Sequence, residues 1–131
     1  MRPLTSNIPK PLLPVAGKPM IVHAMEAMRQ CGIDQIYVLV GWRAQRLKNY
    51  LGDGKKFGIR IEYVTQEQRL GTAHAVSMLR DRLTDRFCCI YGDVVVSPSA
   101  LREALAKSID KKESVMCVAP VEDPSRYGAV T

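Results

Sequence analysis

Short apolar runs alternating with amphipathic stretches constrain this chain more than any other feature. Ile36-Tyr37-Val38-Leu39-Val40 and Phe87-Cys88-Cys89-Ile90-Tyr91 are unbroken apolar segments, one ending at Gly41 and the other at Gly92-Asp93. Their length and β-branched content predict strands covered on both faces, the pattern of a parallel sheet. Ile59 to Val64 differs, because Ile59, Ile61 and Tyr63 alternate with Arg60 and Glu62, which predicts a strand with one wet face at the edge of a sheet. Ser114 to Pro120 reads as a further strand, and Ala129-Val130-Thr131 as the start of another.

The intervening segments carry helical spacing. A first helix is predicted from about Pro19 to Cys31, with Met20, Ile21, Ala24, Met25, Met28 and Cys31 on its apolar face and His23, Glu26, Arg29 and Gln30 opposite. A second runs from about Arg43 to Leu51 and stops at Gly52-Asp53-Gly54. A third follows Leu70-Gly71-Thr72, with Ala73, Val76, Leu79 and Leu83 on one stripe; a fourth starts at Pro98 behind a Ser97 cap and carries Leu101, Ala104, Leu105 and Ile109. Strands joined by crossover helices predict an α/β fold, a three-layer Rossmann-like, mostly parallel sheet with helices on both faces. The first helix has no strand before it, so the first, central strand of such a sheet is expected to be missing.

Five of the eight prolines lie between Met1 and Met20. Each fixes φ and removes a backbone donor, so residues 3–19 are expected to be a braced loop, neither helix nor central strand. Lys10 stands between Pro9 and Pro11. On local chemistry that is a rigidly held ammonium or an extended arm with a solvated lysine.

A chain of 131 residues suits one domain, and 47% apolar with 24% charged residues is ordinary for a globular protein. No apolar run approaches the roughly 20 residues of a membrane span, and prolines occupy the place of a signal peptide's apolar segment. A cytoplasmic protein without a membrane partner is expected. Cys31, Cys88, Cys89 and Cys117 show no paired metal or redox spacing, and three of them lie in apolar strands or on an apolar helix face, where cysteine acts as a small buried hydrophobe. The net charge of +6 suits phosphorylated ligands, an anionic surface or nucleic acid. Its basic residues are dispersed, without the aromatic-interleaved patch that nucleic acid would call for, so nucleic acid is a minor reading.

Pro3-Leu4-Thr5, Pro9-Lys10-Pro11-Leu12-Leu13-Pro14-Val15 and Gly17-Lys18-Pro19-Met20 resemble the signature of the sugar-phosphate nucleotidyltransferases, the nucleotide-sugar pyrophosphorylases. Gln66 with Leu70-Gly71-Thr72, Gly92-Asp93 and Arg126-Tyr127-Gly128 match the same family in the same order. The family's Gly-rich loop, with its arginine, would precede Met1. The chain is thus expected to be a partial catalytic domain, residues 1–131, covering about the first half, with little or no turnover in isolation.

The resemblance implies that a nucleoside triphosphate and a sugar 1-phosphate give a nucleotide sugar and pyrophosphate. It gives Lys10 a place against the α-phosphate or the sugar phosphate, and Asp93 a place on Mg²⁺. Gln66, Gly71 and Thr72 would read the base, UTP or dTTP being favoured, and Gly128 would let the backbone approach the sugar. Each residue also has a plain reading: solvated lysine, capping aspartate, polar loop glutamine, turn glycine. His74 has no acid or nucleophile near it in sequence and reads as incidental. Val94 after Asp93 departs from the polar residue common in the family. A non-catalytic family domain that binds nucleotide or nucleotide sugar, for regulation or assembly, is the alternative. Self-association into a homo-oligomer is compatible with either.

Overall fold

The computed structural model describes residues 8–41, 44–68, 70–84 and 86–123. It begins with a single 3₁₀ turn at Lys10–Leu12, closed by Leu12 N–H to Pro9 O at 2.8 Å and Leu13 N–H to Lys10 O at 3.0 Å. Two short strands follow, β1 (Pro14–Val15) and β2 (Lys18–Pro19), paired antiparallel with Val15 opposite Lys18. The turn between them puts Ala16 at φ 49° and Gly17 at φ 80°, the left-handed pair that a two-residue hairpin needs. The proline-rich stretch is thus a hooked loop with a small ladder of its own, a detail that proline spacing alone does not disclose.

Helix α1 (Met20–Gln30) begins directly after β2, and Met20 N–H reaches back to Leu13 O at 3.0 Å. Val22 and Ala27 are buried as well as Met20, Ile21, Ala24, Met25 and Met28 of the predicted stripe, while Cys31 is partly buried, because α1 is packed on more than one side. Strand β3 (Gln35–Gly41) follows, then α2 (Gln45–Leu51) and β4 (Arg60–Gln66). Strands β3 and β4 pair in parallel from Gln35 opposite Arg60 to Gly41 opposite Gln66. Ile36, Val38 and Val40 face inward with Ile61 and Ile59, and together with Met25, Met28, Leu47 and the fully buried Leu51 they form the core.

Helix α3 (Thr72–Ser77) is shorter than its apolar stripe predicts; residues 78–82 continue as turns, and Leu79 is nevertheless buried. Helix α4 (Pro98–Lys111) lies against α1 through buried Leu101, with Arg102 reaching Gln30 O at 3.4 Å. Ser97 caps α4 as its sequence predicts, accepting from Ala100 N–H at 3.2 Å. Ser97→Ala is expected to cost about 1 kcal/mol, read as a lower midpoint in urea unfolding at unchanged slope.

The architecture is mixed α/β with a parallel pair of strands, and among the described residues that parallel sheet has two strands. The segments predicted as strands at 87–91 and 114–120 lie outside any ladder. A cavity of ≈ 1410 Å³ has the free side of β3 (Tyr37, Leu39) on one wall and Cys88 to Tyr91 on another. Phe87 and Tyr91 are left 54% and 64% exposed, so the burial their sequence predicts is not achieved. The predicted strand start at 129–131 falls outside the described residues. No helix among the described residues is long and apolar enough to cross a membrane.

Candidate functional site

One part of the candidate site, Gln66, closes the carboxyl-terminal end of β4, where α/β folds offer loops to ligands. Lys10 opens the 3₁₀ turn and is exposed, and no ion pair holds it among the described residues. Its loop is fastened to α1 in two places. His23 Nε2 lies 2.7 Å from Val15 O; a carbonyl can only accept, so His23 donates from Nε2. Lys18 pairs with Glu26 at 2.6 Å, a half-exposed bridge worth at most about 1 kcal/mol. His23, read from sequence as a plain surface residue, is a strap for the loop.

Asp93 occupies the exposed turn after Tyr91, closed by Val94 N–H to Tyr91 O at 3.2 Å. Its neighbour Gly92 abuts the lysine loop: a Cβ added at Gly92 would lie 3.3 Å from Pro11 Cγ and 3.6 Å from Ile21 Cδ1. Lys10 and Asp93 are therefore one residue away from a direct contact between their two segments. They belong to the same end of the molecule, and their charges are not spent on each other, since no ion pair joins them.

Gln66 is the last residue of β4 and is half-buried. Its Nε2 lies 3.1 Å from Gly71 O and 3.0 Å from His74 Nδ1. Gly71 precedes α3 at φ 88°, ψ 175°, a conformation open to glycine and strained for other residues. Thr72, the first residue of α3, is exposed. Gln66, Gly71, Thr72, Pro11 and Gly92 all line the cavity described above. Most of that cavity is walled by apolar side chains such as Met25, Met28 and Leu105, which suit no triphosphate.

Gly128 lies outside the described residues. The remaining five predicted residues divide into two groups, Lys10 with Asp93 across the Pro11–Gly92 contact, and Gln66 with Gly71 and Thr72. His74 was missed from sequence: the spacing Gln66 to His74 says nothing until a strand end and a helix turn are brought together.

For a divalent cation the donors on hand are oxygen from Asp93. Among the described residues no three His, Cys, Asp or Glu side chains form a metal cage. One protein carboxylate joined by phosphate oxygens and water is a mode that Mg²⁺ favours, so the residues present fit it. The cysteines are of another kind. Burial pushes the Cys88 thiol up, and the nearby thiols of Cys89, Cys117 and Cys31 add to the effect, so Cys88 is held protonated.

The sequence model of the nucleotidyl transferase family matches residues 1–131, the whole chain. The chain belongs to that family. Among curated relatives, it is 37% identical over 134 residues to the mannose-1-phosphate guanylyltransferase catalytic subunit beta of Dictyostelium discoideum, covering 99% of this chain and 37% of that protein. It is 30% identical over 130 residues to the bifunctional protein GlmU of Methanococcus maripaludis strain C5, covering 99% of this chain and 29% of that protein. A crystal structure from Bacillus anthracis, assigned as a glucose-1-phosphate thymidylyltransferase and solved with a sucrose, superposes with a TM-score of 0.78 at 32% identity, covering 86% of this chain and 46% of that one. The apo UDP-glucose pyrophosphorylase, 22% identical with a TM-score of 0.68, shares the fold. This nucleotidyl transferase chain thus spans about a third of the length of the curated relatives it matches.

Proposed function

We propose that residues 1–131 are part of a catalytic domain that transfers a nucleotidyl group from a nucleoside triphosphate to a sugar 1-phosphate. UTP or dTTP is the favoured donor. The observation that carries this reading is the close approach of Pro11 and Gly92, which brings the lysine-bearing loop and the carboxylate-bearing turn together. Membership of the nucleotidyl transferase family supports the reaction class. A cytoplasmic setting, where nucleoside triphosphates are plentiful, goes with it.

An oxygen of the sugar phosphate attacks the α-phosphorus. A new P–O bond forms to the sugar phosphate, the bond from the α-phosphorus to the bridging oxygen breaks, and pyrophosphate leaves with the electron pair. Two anions must approach one another, so alignment and charge neutralisation dominate the barrier. Lys10 brings a full positive charge to the phosphates on a loop that prolines and the His23 strap hold in place. Asp93 would hold Mg²⁺, which when bound spreads the charge of the triphosphate and orients it. Gln66 meets the base with its amide. The relatives named above for guanylyl, thymidylyl and UDP chemistry share a base whose ring nitrogen carries a hydrogen, and a side-chain oxygen can accept it.

Titration of the 131-residue chain with Mg²⁺–UTP, followed by amide NMR, tests the reading. Saturable binding should shift resonances at 10–13, 66–72 and 92–94. Lys10→Ala should weaken binding on the order of tenfold, the loss of one charge-assisted contact. Absence of saturable binding, or shifts confined to other surfaces, would overturn it.

A further inference from the structure

The role of His74 follows from two hydrogen bonds to one nitrogen. Gly71 O has lone pairs and no hydrogen, so the atom 3.1 Å from it must be the amide nitrogen of Gln66. That settles the amide's flip, which atom positions alone leave open. The same Nε2 lies 3.0 Å from His74 Nδ1. An amide nitrogen has two hydrogens and no lone pair to offer, so Nδ1 must be the acceptor and the His74 proton sits on Nε2. Both Nε2 hydrogens of Gln66 are then in use. The carbonyl oxygen Oε1 is the group left to meet a ligand.

We propose that His74 is a positioning residue for base recognition: its Nδ1 lone pair, together with Gly71 O, locks Gln66 so that Oε1 alone faces the nucleobase. This rests on the nucleotidyl-transfer reading and adds a rule to it. An acceptor fixed in place welcomes a ring N–H, as in uracil, thymine or guanine. It meets the bare ring nitrogen of cytosine or adenine lone pair to lone pair. An unlocked glutamine could turn over and offer its NH₂ to a bare ring nitrogen as readily as its oxygen to a ring N–H, so the lock is what makes the amide selective. Two acceptors are needed because each hydrogen of Nε2 requires one. The elements supplying them are brought together by the turn at Gly71.

Two measurements on the full 131-residue chain test this. In ¹⁵N NMR of the wild-type chain, His74 Nδ1 should show the shift of an unprotonated ring nitrogen and Nε2 that of a protonated one. The opposite tautomer overturns the proposal without touching the reaction assignment. Second, UTP and CTP binding are compared in His74→Phe, which removes the acceptor, and His74→Asn, whose side-chain oxygen replaces Nδ1. The Phe variant should lose roughly tenfold in UTP-over-CTP preference, the size of one hydrogen bond to a fixed partner, and Asn should restore most of it. An unchanged ratio in a folded Phe variant overturns the proposal. If Phe does not fold, the Asn variant decides: a wild-type-like ratio supports the lock and a collapsed ratio overturns it. If the wild-type chain binds neither nucleotide, the transfer reading falls, and the selectivity role falls with it, whatever the tautomer.

Discussion

Replacing Asp93 with asparagine is expected to weaken binding of Mg²⁺–UTP by about tenfold to a hundredfold while leaving the fold intact. Asparagine keeps the shape and one oxygen, but it removes the full charge that a hard cation seeks. The range corresponds to the roughly 1.5–3 kcal/mol of an interaction with a charged partner. Asp93 is exposed in a turn closed by backbone atoms, so nothing in the fold depends on its charge. Unfolding free energy should therefore move by no more than about 0.5 kcal/mol. Calorimetric titration with and without Mg²⁺ gives the answer, because the variant should differ from wild type only when the metal is present. Equal affinities under both conditions would remove Asp93 from the site.

The second large effect is on stability. Gly54→Ala is expected to destabilise the chain by about 2–4 kcal/mol, combining left-handed strain with overpacking. Gly54 has φ +87°, and an added Cβ would lie 2.7 Å from Ile59 O and 2.8 Å from Ile61 Cγ1. The first of these is backbone and cannot swing away. The turn is held from several sides: Gly54 O accepts from Phe57 N–H at 2.9 Å, Asp53 O accepts from Ile61 N–H at 3.0 Å, and Tyr63 Oη donates to Gly52 O at 2.6 Å. Yielding at Gly54 would loosen the start of β4, whose far end carries Gln66. Chemical unfolding measures the loss directly; a midpoint within error of wild type would show that the turn adapts.

The same turn has a pH signature. The backbone N–H and ammonium of Lys55 hold the Asp53 carboxyl below its ordinary range. A carboxylate with a depressed folded value stabilises above its unfolded value, and that contribution fades as pH falls through the folded one. Tyr63 runs the other way. Burial first, and the Asp53 charge second, push its phenol up, so its contribution persists below the ordinary value and is lost as alkali rises past the folded one.

The elements legible in the sequence are those whose partners are also in it. Strands β3 and β4 bond to each other, and α4 packs on α1 through Leu101, although Ile109 of its predicted stripe stays 60% exposed, so local pattern and tertiary context agree where a partner is present. The run at 87–91 has the composition of a buried strand and faces the cavity instead, because a strand needs a bonded neighbour as well as apolar side chains. The hairpin at 14–19 escaped because its ladder is two residues long on each strand and prolines sit at its ends. Lys10, Asp93 and Gln66 are proposed through family resemblance, whereas the Pro11–Gly92 approach is a tertiary fact with no sequence trace. His74 is the sharper case. Its Nδ1 acquires meaning only from a carbonyl three residues before it that orients a third group, and no spacing rule encodes that relay.

The bare backbone at residue 92 has one further consequence. With the Pro11 ring 3.3 Å from where a side chain would begin, position 92 acts as a spacer between the two charged segments. Even a methyl there would wedge them apart by a few tenths of an ångström. Distances of that order matter to the alignment of phosphate chemistry, so on the proposed reading the bare backbone at residue 92 sets a tolerance for the triphosphate.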